Sequence, residues 1–168
     1  GGHFEDTIFT NPTGSLTIRG GDGTDTIGIA GLDAAFDADL TIESTLGADN
    51  VDVDITAATN LDTGGDGQTA SIGTVANPVT SIDFAAGSLD TTGGTINLKA
   101  TAAISTTTTA NDVTGASLDA SAGTGINLDT DVDSIMAAVS GTGVIDIDES
   151  DAVNLAGVTT NDGSITVN

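Results

Sequence analysis

Residues 20–28 read Gly-Gly-Asp-Gly-Thr-Asp-Thr-Ile-Gly, a glycine-rich turn that leads directly into a short alternating stretch. The glycines allow the positive φ angles of a tight turn, and the alternation after them predicts a β-strand with one apolar face. The stretch fits the nonapeptide pattern Gly-Gly-x-Gly-x-Asp-x-apolar-x of stacked parallel β-structures. A unit this small cannot bury its own apolar face, so the pattern predicts neighbouring copies stacked against it.

Incomplete copies of this motif lie on both sides of it. Residues 1–8 lack only the third glycine, and residues 46–51 keep the glycine, the aspartate and the apolar residue. The three equivalent aspartates, Asp6, Asp25 and Asp49, are 19 and 24 residues apart. Spacings of this size predict that each copy belongs to a further coil of a β-helix.

Apolar and polar residues alternate in short segments along most of the chain, which is typical of strands with one buried face. In the N-terminal part, five positions recur at one offset of 24 residues. They are Leu16, Ile18, Asp25, Ile27 and Ile29, which recur as Leu40, Ile42, Asp49, Val51 and Val53. This offset predicts that the two sets stack in register. It also places Arg19 opposite Glu43, where we expect an ion pair between adjacent coils.

The C-terminal part shows a shorter period. The apolar residues of 126–128 recur at 145–147 and again at 165–167, and a glycine precedes each pair at Gly125, Gly143 and Gly163. Stacked copies would form continuous ladders of Ile, Leu and Val, so the sequence predicts an all-β protein, a right-handed parallel β-helix (β-solenoid) of about seven or eight coils. We expect one domain over 1–168. Within it, 62–92 is predicted to be an irregular coil or a loop excursion.

The charge of the chain restricts its partners. Its 25 acidic residues are opposed only by Arg19 and Lys99, which gives a formal net charge of −23 at pH 7. Such a surface is a poor partner for nucleic acid or for an anionic membrane, and it needs salt or bound cations to screen its own repulsion. The chain has no cysteine and no apolar run long enough to span a bilayer. We therefore expect an extracellular or cell-surface protein without direct membrane insertion.

The glycine-rich turns are the candidate metal sites. Calcium binds six to eight oxygen ligands, and a turn of this kind offers backbone carbonyls beside an aspartate carboxylate. We expect Asp22, Asp25 and Asp49 to be the main ligands and Asp6 the next, with carbonyl groups from Gly20, Gly21 and Gly23. The alternative is that these acidic turns are simply solvated, because Asp-Gly is also a common turn sequence. Acids spaced two apart, as in 129–133 and 146–151, could likewise bind ions or form a solvated face.

Nothing in the sequence favours catalysis. The single histidine, His3, has no recognisable nucleophile partner, and the chain has neither Trp nor Tyr to grip a sugar. Polysaccharide lyases also use β-helices, but with basic and aromatic side chains around their acids. We therefore predict that the chain is not an enzyme, with a β-helical lyase as the disfavoured alternative.

Two parts of the chain resemble known protein families. Residues 1–61 resemble the calcium-binding repeats of the repeats-in-toxin family through the motif at 20–27 and its two partial copies, although the spacing departs from that family's direct succession of nonapeptides. Residues 93–168 resemble filamentous-haemagglutinin-type adhesin repeats through Gly-Ile-Asn-Leu-Asp at 125–129, Gly-Val-Ile-Asp-Ile at 143–147 and Asn-Asp-Gly-Ser-Ile-Thr-Val at 161–167. The resemblance implies a parallel β-solenoid from a secreted, repetitive bacterial surface protein.

The functional expectation is a structural repeat segment of an adhesin, filament, sheath or surface layer that stacks end to end and binds calcium. Neither end of the sequence reads as a polar cap, so we expect flanking repeats of the same chain or another copy to cover both ends. The alternative is a glycan- or host-binding adhesin module on a solenoid stalk. Its binding surface would be sought in residues 62–90.

Overall fold

The computed structural model describes residues 8–45 and 50–168, and these residues form an all-β structure of fifteen strands without a helix. No described segment is therefore a helix capable of crossing a membrane. The strands are β1 (Ser15–Arg19), β2 (Thr24–Ile29), β3 (Asp39–Glu43), β4 (Asn50–Ile55), β5 (Ala58–Asn60), β6 (Thr69–Ile72), β7 (Ser81–Phe84), β8 (Ser88–Asp90), β9 (Thr95–Lys99), β10 (Ala103–Thr106), β11 (Val113–Ala122), β12 (Gly125–Val139), β13 (Ile145–Glu149), β14 (Asn154–Thr160) and β15 (Ile165–Val167).

All pairings between these strands are parallel, and they arrange the chain in two long columns. The first column runs β1, β3, β6, β9, β11, the C-terminal part of β12, and β14. The second column runs β2, β4, β7, β10, the N-terminal part of β12, β13 and β15. Strands β5 and β8 and the start of β11 form a shorter third column. The result is a curled, solenoid-like sheet.

Aliphatic ladders fill the space between the columns. In the second column one ladder runs Ile27, Val53, Ile82, Ile104, Ile126, Ile145 and Ile165. The members from Val53 to Ile145 are at most 1% exposed. Each fully buried side chain of this kind contributes about 1.5–3 kcal/mol, and each packs on the equivalent residue of the next strand. The core is therefore continuous along the stack, as the alternation predicts.

The predicted registers are confirmed in part. Leu16 pairs with Leu40 and Ile18 with Ile42, at the predicted offset of 24. The same offset is wrong for β2 and β4, because Ile27 pairs with Val53, at an offset of 26. The connection between β3 and β4 is two residues longer than that between β1 and β2. Because a shift of two residues keeps every side chain on its own face, alternation alone could not reveal it.

The C-terminal registers are confirmed throughout. Ile126, Ile145 and Ile165 stack at offsets of 19 and 20. Two of the three glycines before these positions have a steric role, because a Cβ added at Gly143 would overlap the carbonyl oxygen of Thr124, and one at Gly163 would overlap that of Gly143. Neighbouring turns therefore pack backbone against backbone at this corner.

Residues 62–92, predicted to be irregular, contain β6, β7 and β8. All three pair in register with strands on both sides. What distinguishes the segment is its turns, at 62–68 and 73–80, which lengthen the path between successive strands.

The strands at the two ends of the columns are the least covered. Within the described residues, β1, β2, β14 and β15 each pair with one strand only. Their apolar residues are correspondingly exposed to solvent: Ile18 is 37% exposed, Leu155 49% and Ile165 44%. Apolar side chains and strand edges are thus presented at both ends of the described structure.

Candidate functional site

The predicted calcium turn has a positive φ angle at one of its three glycines. Gly23 has a φ of 121°, which L side chains rarely adopt. Gly20 is buried, and a Cβ there would lie 2.5 Å from Cγ2 of Val51, so a side chain has no room. Gly21 and Asp22 are exposed. The turn therefore passes close to the next strand at one end and faces solvent in its middle.

Asp25 is the functional candidate that stands out in this turn. It lies at the start of the inward face of β2 and pairs in register with Val51. Its Oδ2 atom is buried without a hydrogen-bond partner. A carboxylate oxygen withdrawn from water in this way costs about 1–3 kcal/mol unless something satisfies it. Asp6 and Asp49, the other two predicted aspartate ligands, lie outside the described residues.

A second glycine-rich turn brings three carboxylates together. Oxygen atoms of Asp37, Asp62 and Asp66 all lie within 4.8 Å of one another. Asp62 is only 4% exposed, and it accepts hydrogen bonds from the N–H groups of Gly65, Asp66 and Gly67 at 2.5, 3.0 and 2.9 Å. These bonds satisfy the buried carboxylate and fix the turn.

Sequence reasoning did not identify this cluster, although a signal was present. Residues 64–67 read Gly-Gly-Asp-Gly, the same four letters as residues 20–23. The position that corresponds to Asp25 is occupied by Thr69, so the motif breaks off before its aspartate. Of the acids that complete the cluster, Asp62 lies in the same turn, and Asp37 comes from earlier in the chain and meets it only in the fold.

A third acidic group lies in the C-terminal part, where Asp131, Glu149 and Asp151 have oxygens within 4.8 Å of one another. Glu149 accepts hydrogen bonds from the Thr130 hydroxyl at 2.7 Å and from the Val132 N–H at 3.2 Å. Its carboxylate therefore links β13 to β12. These runs were predicted either to bind ions or to form a solvated face, and the arrangement is compatible with both.

Beside this group runs an open groove of about 490 Å³, here called the acidic groove. It is lined by Thr106, Thr107, Thr108, Thr109, Asn111, Asn127, Asp129, Asp148, Glu149 and Ser150. Burial, together with the negative charges of Asp148 and Asp146, raises the pKa of the Asp129 carboxyl above its ordinary value of 3.8. The stacked register of Asp129 and Asp148 produces this repulsion.

Asp112 lies beneath the acidic groove and is fully buried. Its carboxylate accepts hydrogen bonds from the Asp129 N–H and from the Thr106 and Thr108 hydroxyls at 2.8, 2.8 and 3.0 Å. Burial raises the pKa of Asp112 more than these bonds lower it. It serves as a buried connector between turns.

Both basic side chains are engaged in ion pairs. Arg19 Nε lies 2.8 Å from Glu43 Oε1, which confirms the predicted pair, and Lys99 Nζ lies 2.6 Å from Asp119 Oδ1. Burial acts to raise the pKa of Glu43, but hydrogen bonds from Asn77, Arg19 and Thr74 outweigh it and lower that pKa below 4.5. Both pairs lie on the first column, so this face carries all the positive charge of the chain.

No protein-family model, no curated protein and no solved structure matches this chain. His3, the single histidine, lies outside the described residues.

Proposed function

We propose that this chain is a structural repeat segment of a secreted bacterial surface protein, an adhesin, filament, sheath or surface layer, that stacks end to end as a right-handed parallel β-helix of seven or eight coils. The observation that carries the proposal is the pair of uncovered ends. Strands β1 and β2 at one end, and β14 and β15 at the other, occupy the same two columns and expose the same ladders. Parallel strands joined by crossovers are almost always right-handed, which supports the proposed hand.

The two ends are compatible in register. If β14 and β15 of one unit continued the columns onto β1 and β2 of the next, Leu155 would meet Leu16 and Ile165 would meet Ile27. The added strands would hydrogen-bond the free edges, and the half-exposed ladder residues would become buried. The next unit is a flanking repeat of the same chain or a second copy. A contact of this head-to-tail kind does not close on itself and so builds filaments.

Edge variants test the stacking. Purified chain at about physiological salt should form rods in negative-stain electron microscopy, whereas Ile165→Asp should abolish them because it places a charge in the ladder at the joint. Thr166→Asp is the matched control, since Thr166 is the exposed neighbour on the same strand. Dispersed monomers of the unaltered chain, or rods that survive Ile165→Asp, would contradict end-to-end stacking.

Calcium is the cofactor that we propose for the acidic turns. It would supply a partner for the buried Oδ2 of Asp25 and would reduce the repulsion within a chain of charge −23. Asp22 and the carbonyl groups of Gly20, Gly21 and Gly23 are the nearest further ligands in the sequence, with Asp6 and Asp49 from the partial copies. The resemblance to repeats-in-toxin turns supports the same ion.

Thermal melting tests the calcium proposal. Millimolar Ca²⁺ should raise the melting temperature by roughly 5 °C or more over chelator-treated protein, since a ligand that binds only the folded state stabilises it. Asp25→Asn should reduce this increment, while an equal ionic strength of NaCl should not reproduce it. An identical melting curve with Ca²⁺ and with chelator would remove calcium from the proposed function without affecting the stacking.

A further inference from the structure

A second open groove, of about 790 Å³, crosses four successive strands of the first column. We call it the hydroxyl groove. Its first row is Lys99, Ser121, Ala138 and Thr159, which are register partners on β9, β11, β12 and β14. The turn at 74–78 closes one end through Thr74, Val75 and Pro78. The groove exists because this turn projects beyond the shorter turns that follow it.

The lining has no carboxylate, although the chain carries 25 acidic residues. Its floor is made of the nearly buried Ala100, Ala122 and Val139, and its walls carry hydroxyl and amide side chains. The one charged residue in the lining, Lys99, is paired with Asp119. The hydroxyl groove is therefore close to neutral, in contrast to the acidic groove.

Several polar side chains in the hydroxyl groove have no partner within the described part of the chain. Thr160 donates to the Gly143 carbonyl at 2.8 Å, and Thr74 donates to Glu43 at 3.2 Å. Thr101, Ser121 and Thr159, by contrast, and the amide of Asn161, make no side-chain hydrogen bond there, and all four face the groove. Free donors and acceptors thus recur on three different strands or the turns that follow them.

We propose that the hydroxyl groove binds a neutral oligosaccharide, lying parallel to the stack. A sugar chain presents hydroxyl groups along its edges and C–H groups on its ring faces, which suits polar walls over an aliphatic floor. Strands repeat every ~4.8 Å, so the four strands span roughly 14 Å, about the length of three linked sugar rings. The groove opens to the side of the columns, so its binding does not rest on end-to-end stacking, although its last strand, β14, is also the strand at the proposed joint.

The net charge of the chain and the charges within the groove favour a neutral ligand. An anionic glycan would approach a chain of charge −23 with no unpaired cation in the groove to receive it, and a cationic ligand would find no carboxylate there. Hydrogen bonds to hydroxyl and amide groups remain as the means of recognition. Without an aromatic ring to stack on, binding should be weak for a single groove and should rely on repetition along a filament.

The experiment is a titration of the Ile165→Asp variant, which is expected not to form rods and whose substitution lies outside the groove, followed by two-dimensional amide NMR. The probes are the neutral trisaccharides maltotriose, cellotriose and tri-N-acetylchitotriose, with trigalacturonate as the anionic comparison. At least one neutral probe should give saturable shifts centred on Thr101, Ser121 and Thr159. Trigalacturonate should give none there.

Variants on β14 and in the turn after it locate the site. Asn161→Ala should weaken the best neutral probe about tenfold, which corresponds to about 1.4 kcal/mol. The matched control is Asn154→Ala, because Asn154 is also exposed but lies outside the groove. Thr159→Val, nearly equal in volume, should weaken binding in the same direction. Far-ultraviolet circular dichroism confirms that each variant folds.

Three results would overturn the proposal. The first is the absence of saturable shifts with every neutral probe at tens of millimolar. The second is equal weakening by Asn161→Ala and Asn154→Ala. The third is a set of groove shifts that depends on protein concentration without sugar, which would identify a second copy of the chain as the occupant. None of these results bears on whether the chain forms rods in the microscopy experiment.

Discussion

The N-terminal and C-terminal parts of the stack build the same ladders with turns of different length. From β1 to β9, successive strands of a column are offset by 24 to 30 residues, whereas from β9 to β15 the offsets are 17 to 22. The inward-facing residues nevertheless form uninterrupted ladders. Strand alternation therefore controls the core, while the turns are free to vary and carry the differences in surface chemistry.

Two means of holding a turn occur in both parts of the stack, which are carboxylates that accept hydrogen bonds and close packing of backbone against backbone. In the long turns, Asp62 accepts hydrogen bonds from three backbone N–H groups, and Glu43 accepts them from the side chains of Thr74 and Asn77. The short turn at Gly143 instead packs its backbone against the preceding one, and there is no space for a Cβ. The 62–68 turn should thus be sensitive to loss of the Asp62 carboxylate, and the turn at Gly143 to an added methyl.

The largest expected effect in this comparison comes from the short turn. Gly143→Ala should lower the free energy of unfolding by about 3 kcal/mol, because the added methyl overlaps the Thr124 carbonyl and the backbone must shift. Gly157→Ala is the matched control, since a Cβ there meets nothing within 4 Å. Urea unfolding of both variants measures the difference. Equal stabilities would show that the corner is not tightly packed.

An intermediate effect is expected in the long turn. Asp62→Asn should lower the free energy of unfolding by about 1–2 kcal/mol. Both carboxylate oxygens accept backbone hydrogen bonds, and the substitution replaces one of them with an amide NH₂ group that faces an N–H. Asp66→Asn should leave the free energy of unfolding nearly unchanged, because that carboxylate is exposed. Urea unfolding without added divalent ions gives both values. A larger loss for Asp66→Asn than for Asp62→Asn would refute this account of the turn.

The smallest effect is the dependence of stability on pH, in which the two parts oppose each other. The raised pKa values of Asp112 and Asp129 mean that the folded C-terminal part takes up protons before the unfolded chain does. Stability should therefore rise as pH falls from 7 through these raised values towards 3.8. Glu43 has a lowered pKa, so its contribution is present above pH 4.5 and is lost as pH falls through that lowered value.

Melting temperatures between pH 7 and pH 3 separate the two contributions. Asp129→Asn should reduce the rise in melting temperature on acidification by roughly 1–3 °C. Glu43→Gln should reduce the fall in melting temperature at the acid end of the range by a similar amount. Asp162→Asn, at an exposed carboxylate outside both clusters, serves as the reference for a simple loss of charge. A melting temperature that falls steadily from pH 7 downwards would contradict the raised pKa values.

The sequence predicted the strands, their parallel stacking and the ion pair of Arg19 with Glu43, because each follows from alternation and from one offset. It also predicted the C-terminal registers, where turn lengths are nearly constant. It did not predict the shift of β2 against β4, because two extra turn residues leave the alternation unchanged. The Asp37, Asp62 and Asp66 cluster was missed for a related reason, since Asp37 comes from a different turn than Asp62 and Asp66.

What the sequence determined by itself is therefore the one-dimensional information: which residues face inward, and that neighbouring copies must cover them. Only the tertiary structure decided which turns lie side by side, because turn length fixes that relation and leaves no periodic trace. The acidic groove, the hydroxyl groove and the buried oxygen of Asp25 all depend on such neighbours. The core of this protein is set by periodicity, and its candidate sites by the irregular lengths of the chain between strands.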